Sequence, residues 1–213
     1  TFHSMCLRIL RANSAALGLR RDFIIYGEDE QKAVLKSVFA TMNLDVKDFN
    51  PSDWVERISS IKDKGLGADN NISEISHRIL DAYNAELSRL GAVDFGDIIL
   101  KVLELFNSYP DILDRYQKQF RYVMVDEFQD VNNAQMDFLK FIMPPEPELR
   151  KNRFLLCVGD DDQSIYSWRG AEIKHILNFE KYYGDAQIII NPNYRSTGNI
   201  LGAANSLIAH NHN

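Results

Sequence analysis

The chain has 213 residues, 45% of them hydrophobic and 25% charged, with a formal net charge of −6 at pH 7. That composition excludes a disordered, collagenous or disulfide-stapled chain and suits one large or two small globular domains. The acidic balance weighs against a surface that grips duplex nucleic acid through a basic excess.

In chain order, apolar residues recur at helical spacing over 2–17, 31–42, 54–61, 72–90 and 95–106. The breaks between these stretches are Gly27, the Asn50-Pro51-Ser52 start signal, the segment 64–71, Gly91 and Pro110. Segment 64–71, with two glycines, reads as a mobile loop, and residues 20–93 read as a self-contained helical block. Arg8, Arg11 and Asn13 interrupt the first apolar stretch, which excludes a signal peptide. The chain opens on Thr1 without an initiator Met, so the expectation is a piece of a longer protein. The longest apolar runs, such as 154–158, fall far short of the roughly 18 residues of a membrane span. Cys6 and Cys157 have no paired spacing, which points away from a metal knuckle or disulfide framework and towards a reducing, cytosolic compartment.

From Arg121 the pattern changes. Three runs, 122–125, 154–158 and 188–190, are apolar at consecutive positions, as in strands of a parallel sheet covered on both faces. Helical patterns over 134–142 and 172–182 separate them, and a last one follows at 198–209. The alternation predicts right-handed crossovers in an open parallel α/β sheet that lacks its earlier strands.

Ligands of such sheets sit beyond the carboxyl ends of the strands. The three runs lead into Asp126-Glu127, into Gly159-Asp160 with Gln163 close behind, and into Tyr194-Arg195. An adjacent acidic pair suits a solvated turn, or a site where one carboxylate holds Mg²⁺ and the other polarises water. Its place directly after Val-Met-Val favours the site. Arg195 lies just before a helix capped by Ser196 or Thr197, where a cation opposes the helix dipole by about 0.3–1 kcal/mol unless an anion is near. No Asp or Glu follows Asp185, so the anion is a distant carboxylate or a bound phosphate. Tyr194 can stack on a base or cover the sheet edge. Tyr166 and Trp168, two apart and so on one side of an extended stretch, can stack nucleobases beside Arg169, or pack beneath a helix.

Taken together, these segments resemble the UvrD/Rep-type superfamily 1 ATP-dependent DNA helicases. Val125-Asp126-Glu127-Phe128-Gln129-Asp130 is similar to their Walker B segment, motif II. The stretch from Val158-Gly159-Asp160 through Gln163-Ser164-Ile165-Tyr166-Ser167-Trp168-Arg169-Gly170-Ala171 resembles motif III, and Asn193-Tyr194-Arg195-Ser196-Thr197 resembles motif IV. Thr1-Phe2-His3-Ser4 is similar to the DNA-contacting segment ahead of the family's inserted helical subdomain. Asp94-Phe95-Gly96-Asp97-Ile98-Ile99 is similar to the return from that insertion.

The resemblance implies a partial RecA-like P-loop NTPase sheet with an inserted all-helical subdomain. Residues 1–19 would be a DNA-contacting segment of motor domain 1A, 20–93 the 1B subdomain, and 94–213 the C-terminal half of 1A. It implies ATP and Mg²⁺ as cofactors, with Asp126 on the metal, Glu127 activating water and Gln163 sensing the γ-phosphate. Tyr194 would stack on adenine and Arg195 would stabilise the transferring phosphoryl group. Thr1, Phe2, His3, Phe95, Tyr166, Trp168 and Arg169 would line a single-strand track. Implied partners are single-stranded DNA, its junctions with duplex, and repair or replication proteins, with no membrane. The implied setting is a cytoplasmic, nucleoid-associated enzyme moving 3′ to 5′. No Gly-x-x-x-x-Gly-Lys-Ser/Thr cradle occurs in the chain, so the chain alone is expected to be inactive. A motor-less DNA- or protein-binding module and part of a helicase–nuclease are the competing readings.

Overall fold

The computed structural model describes residues 1–66, 72–184, 187–190 and 192–210. Helix α1 (Phe2–Asn13) starts on Thr1, whose Oγ1 accepts the Ser4 N–H at 3.3 Å, and runs on into a short 3₁₀ turn over Ser14–Leu17. Strand β1 (Ile24–Ile25) then pairs in parallel with β2 (Ala92–Val93). Between these strands lie α2 (Glu28–Thr41), α3 (Pro51–Asp63) and α4 (Glu74–Arg89). The Asn50-Pro51 start signal acts as expected. The Asn50 side chain accepts the Ser52 N–H, and Pro51, having no N–H to lose, opens the helix. A two-residue ladder has no readable period, so β1 and β2 escaped the sequence pattern. Of the expected loop 64–71, residues 67–71 lie outside the described residues.

Two apolar cores result. Val34, Leu35, Val38, Phe39, Trp54, Ile58, Ile79, Tyr83 and Leu87 close one core within α2, α3 and α4, with Ala92 at its margin. The other gathers α1 with α5 (Phe95–Ser108), α7 (Asn133–Ile142) and the inner sides of β3 (Tyr122–Val125) and β4 (Phe154–Cys157). Helix α6 (Pro110–Gln119) lies between α5 and β3. Pro110, which reads as a break in the sequence, is the first residue of that helix, a position where proline is at home.

The two cores are joined by a buried charge cluster. Lys62, 2% exposed, donates from Nζ to Asp94 Oδ2 and to Asp97 Oδ1, each at 2.7 Å, and the Tyr83 hydroxyl donates to Asp94 Oδ2 at 3.0 Å. Asp94 is also the N-cap of α5. Its Oδ1 accepts the Asp97 N–H, while the Asp97 carboxylate accepts the Asp94 N–H. A Cβ on Gly96 would lie 2.8 Å from Cβ and Cδ of Lys62, so glycine is required for the lysine stem to pass. The Asp-Phe-Gly-Asp tetrapeptide is thus a lock between α3 and the start of α5.

Strands β3 and β4 pair in parallel in the register Tyr122 with Phe154 through Val125 with Cys157. Two expectations fail here. The strands are covered on one face only: Val125 is buried and Leu155 half-buried, whereas Met124 is 76% exposed and the Tyr122 and Phe154 rings stack in the open at 5.3 Å. The run 188–190 is not a strand. Its isoleucines are 80%, 72% and 77% exposed, and among the described residues no ladder joins them to β4. An apolar run becomes a strand only where a neighbouring edge supplies hydrogen bonds. The helix expected over 172–182 is broken at Asn178 into α8 (Lys174–Leu177) and α9 (Phe179–Tyr183), and α10 (Gly198–Ile208) follows Thr197.

Removing Lys62 strands two buried carboxylates. Lys62→Ala is expected to lower the unfolding free energy by about 3–5 kcal/mol in urea titrations, and a loss below about 1 kcal/mol would contradict the lock.

Candidate functional site

The parallel ladder delivers the ends of β3 and β4 to one edge. Asp126 and Glu127 leave β3 together, both exposed, and the Asp126 Oδ1 accepts the Glu127 N–H at 3.0 Å. Glu127 takes φ 51° and ψ 48°, left-handed backbone that a non-glycine residue occupies at a cost of about 1–3 kcal/mol. The turn is held by its surroundings. Phe128, buried, donates its N–H to the Val158 carbonyl, and Val158 donates in return to Val125. The strained residue is thus pinned across both strands.

Gln129 is buried at this point and was not singled out from the sequence. Its Nε2 donates to Glu127 Oε2 at 2.8 Å, and its Oε1 accepts the Asp160 N–H at 3.1 Å. Asp160 Oδ2 in turn accepts Gln163 Nε2 at 2.6 Å. Glu127 and Gln163, separated by a helix and a strand in sequence, therefore belong to one hydrogen-bonded chain. In the sequence Gln129 stands between Phe128 and Asp130 in a polar turn, and nothing local marks it as buried.

Consecutive residues at the end of α3 hold two aromatic groups. Lys62 fixes the segment that carries Phe95, which is 57% exposed, with the His3 ring 5.6 Å away. Burial holds the His3 imidazole below its usual range. Asp63 faces the other group. A Cβ on Gly170 (φ +80°) would lie 3.3 Å from Asp63 Cβ, and Asp63 Oδ1 accepts Asn132 Nδ2 at 2.8 Å. Tyr166 and Trp168 sit on this loop with ring centroids 6.3 Å apart, and Trp168 is 73% exposed. They meet across a 3₁₀ turn, not along the extended stretch expected. The Arg169 side chain lies outside the described residues. Thr1 is spent capping α1, and Phe2 is half-buried with its ring edge-on to Phe138.

Tyr194, 94% exposed, and Arg195 are not brought to this edge by any side-chain hydrogen bond, ion pair or ring contact among the described residues. Their loop is shaped locally, the Asn193 Oδ1 accepting the N–H groups of Arg195 and Ser196 at 2.9 Å. Thr197 takes the N-cap position of α10, but its side chain makes no capping hydrogen bond there. Among the described residues no cluster of three His, Cys, Asp or Glu side chains could enclose a metal alone. The exposed oxygens of Asp126 suit Mg²⁺ instead, which is typically held by one or two carboxylates together with phosphates and water. No helix among the described residues is long and apolar enough to cross a membrane.

Carboxylates at the end of one parallel strand are tied to a glutamine loop at the end of its neighbour, at the edge where open α/β sheets hold their ligands. The chain belongs to the UvrD/REP helicase N-terminal domain family, which it matches over residues 1–184. It is 42% identical over 219 aligned positions to proteins named ATP-dependent DNA helicase PcrA from Leuconostoc citreum, Staphylococcus epidermidis and Staphylococcus aureus. These alignments cover 99% of this chain, which spans 28–29% of the length of those relatives.

Burial pushes the Asp63 carboxyl up to about 6 from 3.8. The folded chain therefore keeps a proton that the unfolded chain releases between those values, and stability falls as pH rises through that window. Asp63→Asn removes this limb. The unfolding free energy of the variant relative to the parent is expected to rise across the window and level off above about pH 6. A flat difference in denaturant titrations would show Asp63 ionising normally.

Proposed function

We propose that the chain carries the water-activating and strand-gripping parts of an ATP-dependent DNA helicase. The observation that supports this most strongly is the Glu127–Gln129–Asp160–Gln163 chain, which ties the acidic pair to the glutamine loop at one sheet edge. Glu127 accepts the proton of a water whose oxygen bonds to the γ-phosphorus as the β–γ bridge breaks, leaving ADP and phosphate. Asp126 would hold Mg²⁺, which would offset the charge of the phosphates. Gln163 reads the γ-phosphate and passes its presence along the loop to Tyr166 and Trp168.

Phe95, His3, Tyr166 and Trp168 form the strand-gripping side, because exposed rings stack on bases of any sequence. Thr1, Phe2 and Arg169 belong to the same track. Tyr194 and Arg195 complete the nucleotide site, on adenine and on the transferring phosphoryl group, once their loop packs against the edge. Residues 20–93 are the helical 1B subdomain, and the flanking segments 1–19 and 94–213 belong to motor domain 1A. The whole protein moves 3′ to 5′ along single-stranded DNA in the cytoplasm and separates duplexes at junctions, beside repair or replication proteins.

With no glycine-rich cradle and lysine in its 213 residues, the chain alone is expected to show no DNA-stimulated ATP hydrolysis, and measurable turnover would overturn that. In a full-length protein that carries it, Glu127→Gln is expected to cut turnover to a small residual rate while leaving ATP binding intact. Turnover near that of the parent would remove the base assignment. Trp168→Ala should weaken single-strand binding by roughly 1–3 kcal/mol in fluorescence titrations, and an unchanged affinity would exclude Trp168 from the track.

A further inference from the structure

The left-handed turn aims Glu127 outward but does not hold its carboxylate. Among the described residues, the one hydrogen bond to that carboxylate comes from Gln129 Nε2, at 2.8 Å. Gln129 is 2% exposed, and both ends of its amide are used: Nε2 on Glu127, and Oε1 on the Asp160 N–H at 3.1 Å. Turning the amide over would set its oxygen against a carboxylate and its NH₂ against an N–H, so the two partners fix one orientation. Gly159 makes the approach feasible, since a Cβ there would lie 2.7 Å from Gln129 Oε1.

We infer that Gln129 is the positioning residue for the Glu127 carboxylate, and that it ties the carboxylate's aim to the place of the Asp160–Gln163 loop. The inference rests on the reading of Glu127 as the base. An amide anchored in the interior at one end and donating at the other holds the carboxylate in one rotamer. A shift of the Asp160 backbone moves the same amide. Misplacing a catalytic group by about 1 Å is enough to cost on the order of 100-fold in rate.

The test uses a full-length protein that carries this chain, with ATP turnover and ATP affinity measured separately. Gln129→Met fills the same volume without the amide, and Gln129→Glu keeps an acceptor for Asp160 but offers Glu127 no amide donor. Both are expected to lower kcat by about 10- to 100-fold with the ATP Kd unchanged. In a Glu127→Gln background, neither is expected to lower the residual rate further, because the group being aimed is already gone.

Three results would overturn the inference while leaving Glu127 as the base: wild-type kcat in a folded Gln129→Met protein, rescue of kcat by Gln129→Glu, or a full additional loss on top of Glu127→Gln. Where Gln129→Met fails to fold, as judged by thermal unfolding, Gln129→Glu and its double variant decide alone. Undiminished turnover in Glu127→Gln itself would overturn both readings together.

Discussion

The parallel pairing of β3 with β4 is the constraint on which the site depends. Side chains alternate between the two faces of a strand, so the observed register turns Val125 inward while Met124 and Leu156 face out. A slip of one residue would reverse those faces and aim the strand exits away from each other. Because the strands run the same way, both exits fall at one edge. The pairing continues past the strands, through the Val158 N–H to Val125 and the Phe128 N–H to Val158. That continuation holds Glu127 in backbone it would otherwise leave. Strain at Glu127 and order in the Asp160–Gln163 loop are therefore two results of one ladder.

Around this ladder, the end of α3 works as a junction. Lys62 faces the start of α5, and Asp63 faces Asn132 and Gly170. Asn132 caps α7 through the Gln135 N–H and bridges to Ala171, so the loop bearing Trp168 is tied both to the helix that follows the acidic turn and to the helical block. Burying one ammonium with two carboxylates is a poor way to gain stability, because desolvation offsets most of the attraction. What the cluster fixes is the docking geometry of α3 against the start of α5, through the two ion pairs of Lys62. Phe95 and the Tyr166–Trp168 pair take their positions from that geometry.

Much of this was legible in the sequence because it is local or periodic. The Asn50-Pro51 cap, the stripe over 95–106 and the two parallel runs each contain their own signal. The acidic pair could be placed at a strand end because Val-Met-Val precedes it. Less legible were features decided by partners distant in the chain. Pro110 reads as a break unless the helix that follows is seen, and a two-residue strand such as β1 has no period. The isoleucines 188–190 look like a buried strand, but burial depends on a neighbouring edge, which the residues themselves do not encode. Gln129 stayed hidden for a related reason, as one of its two bonds stays within its own turn while the other reaches Asp160 in the loop beyond the next strand. The covering of β3 and β4 was misread because runs that are apolar throughout look alike whether one face or both are packed.

The central claim is that the β3 acid pair and the β4 glutamine loop serve one bound polyphosphate. The most direct test is a structure of a full-length protein that carries this chain, bound to Mg²⁺ and a non-hydrolysable ATP analogue. Asp126 should appear in the coordination shell of the metal, directly or through water, with the Glu127 carboxylate and the Gln163 amide both facing the γ-phosphate. A nucleotide seated in a cavity that excludes Glu127, or a Gln163 side chain turned away from the phosphates, would contradict it.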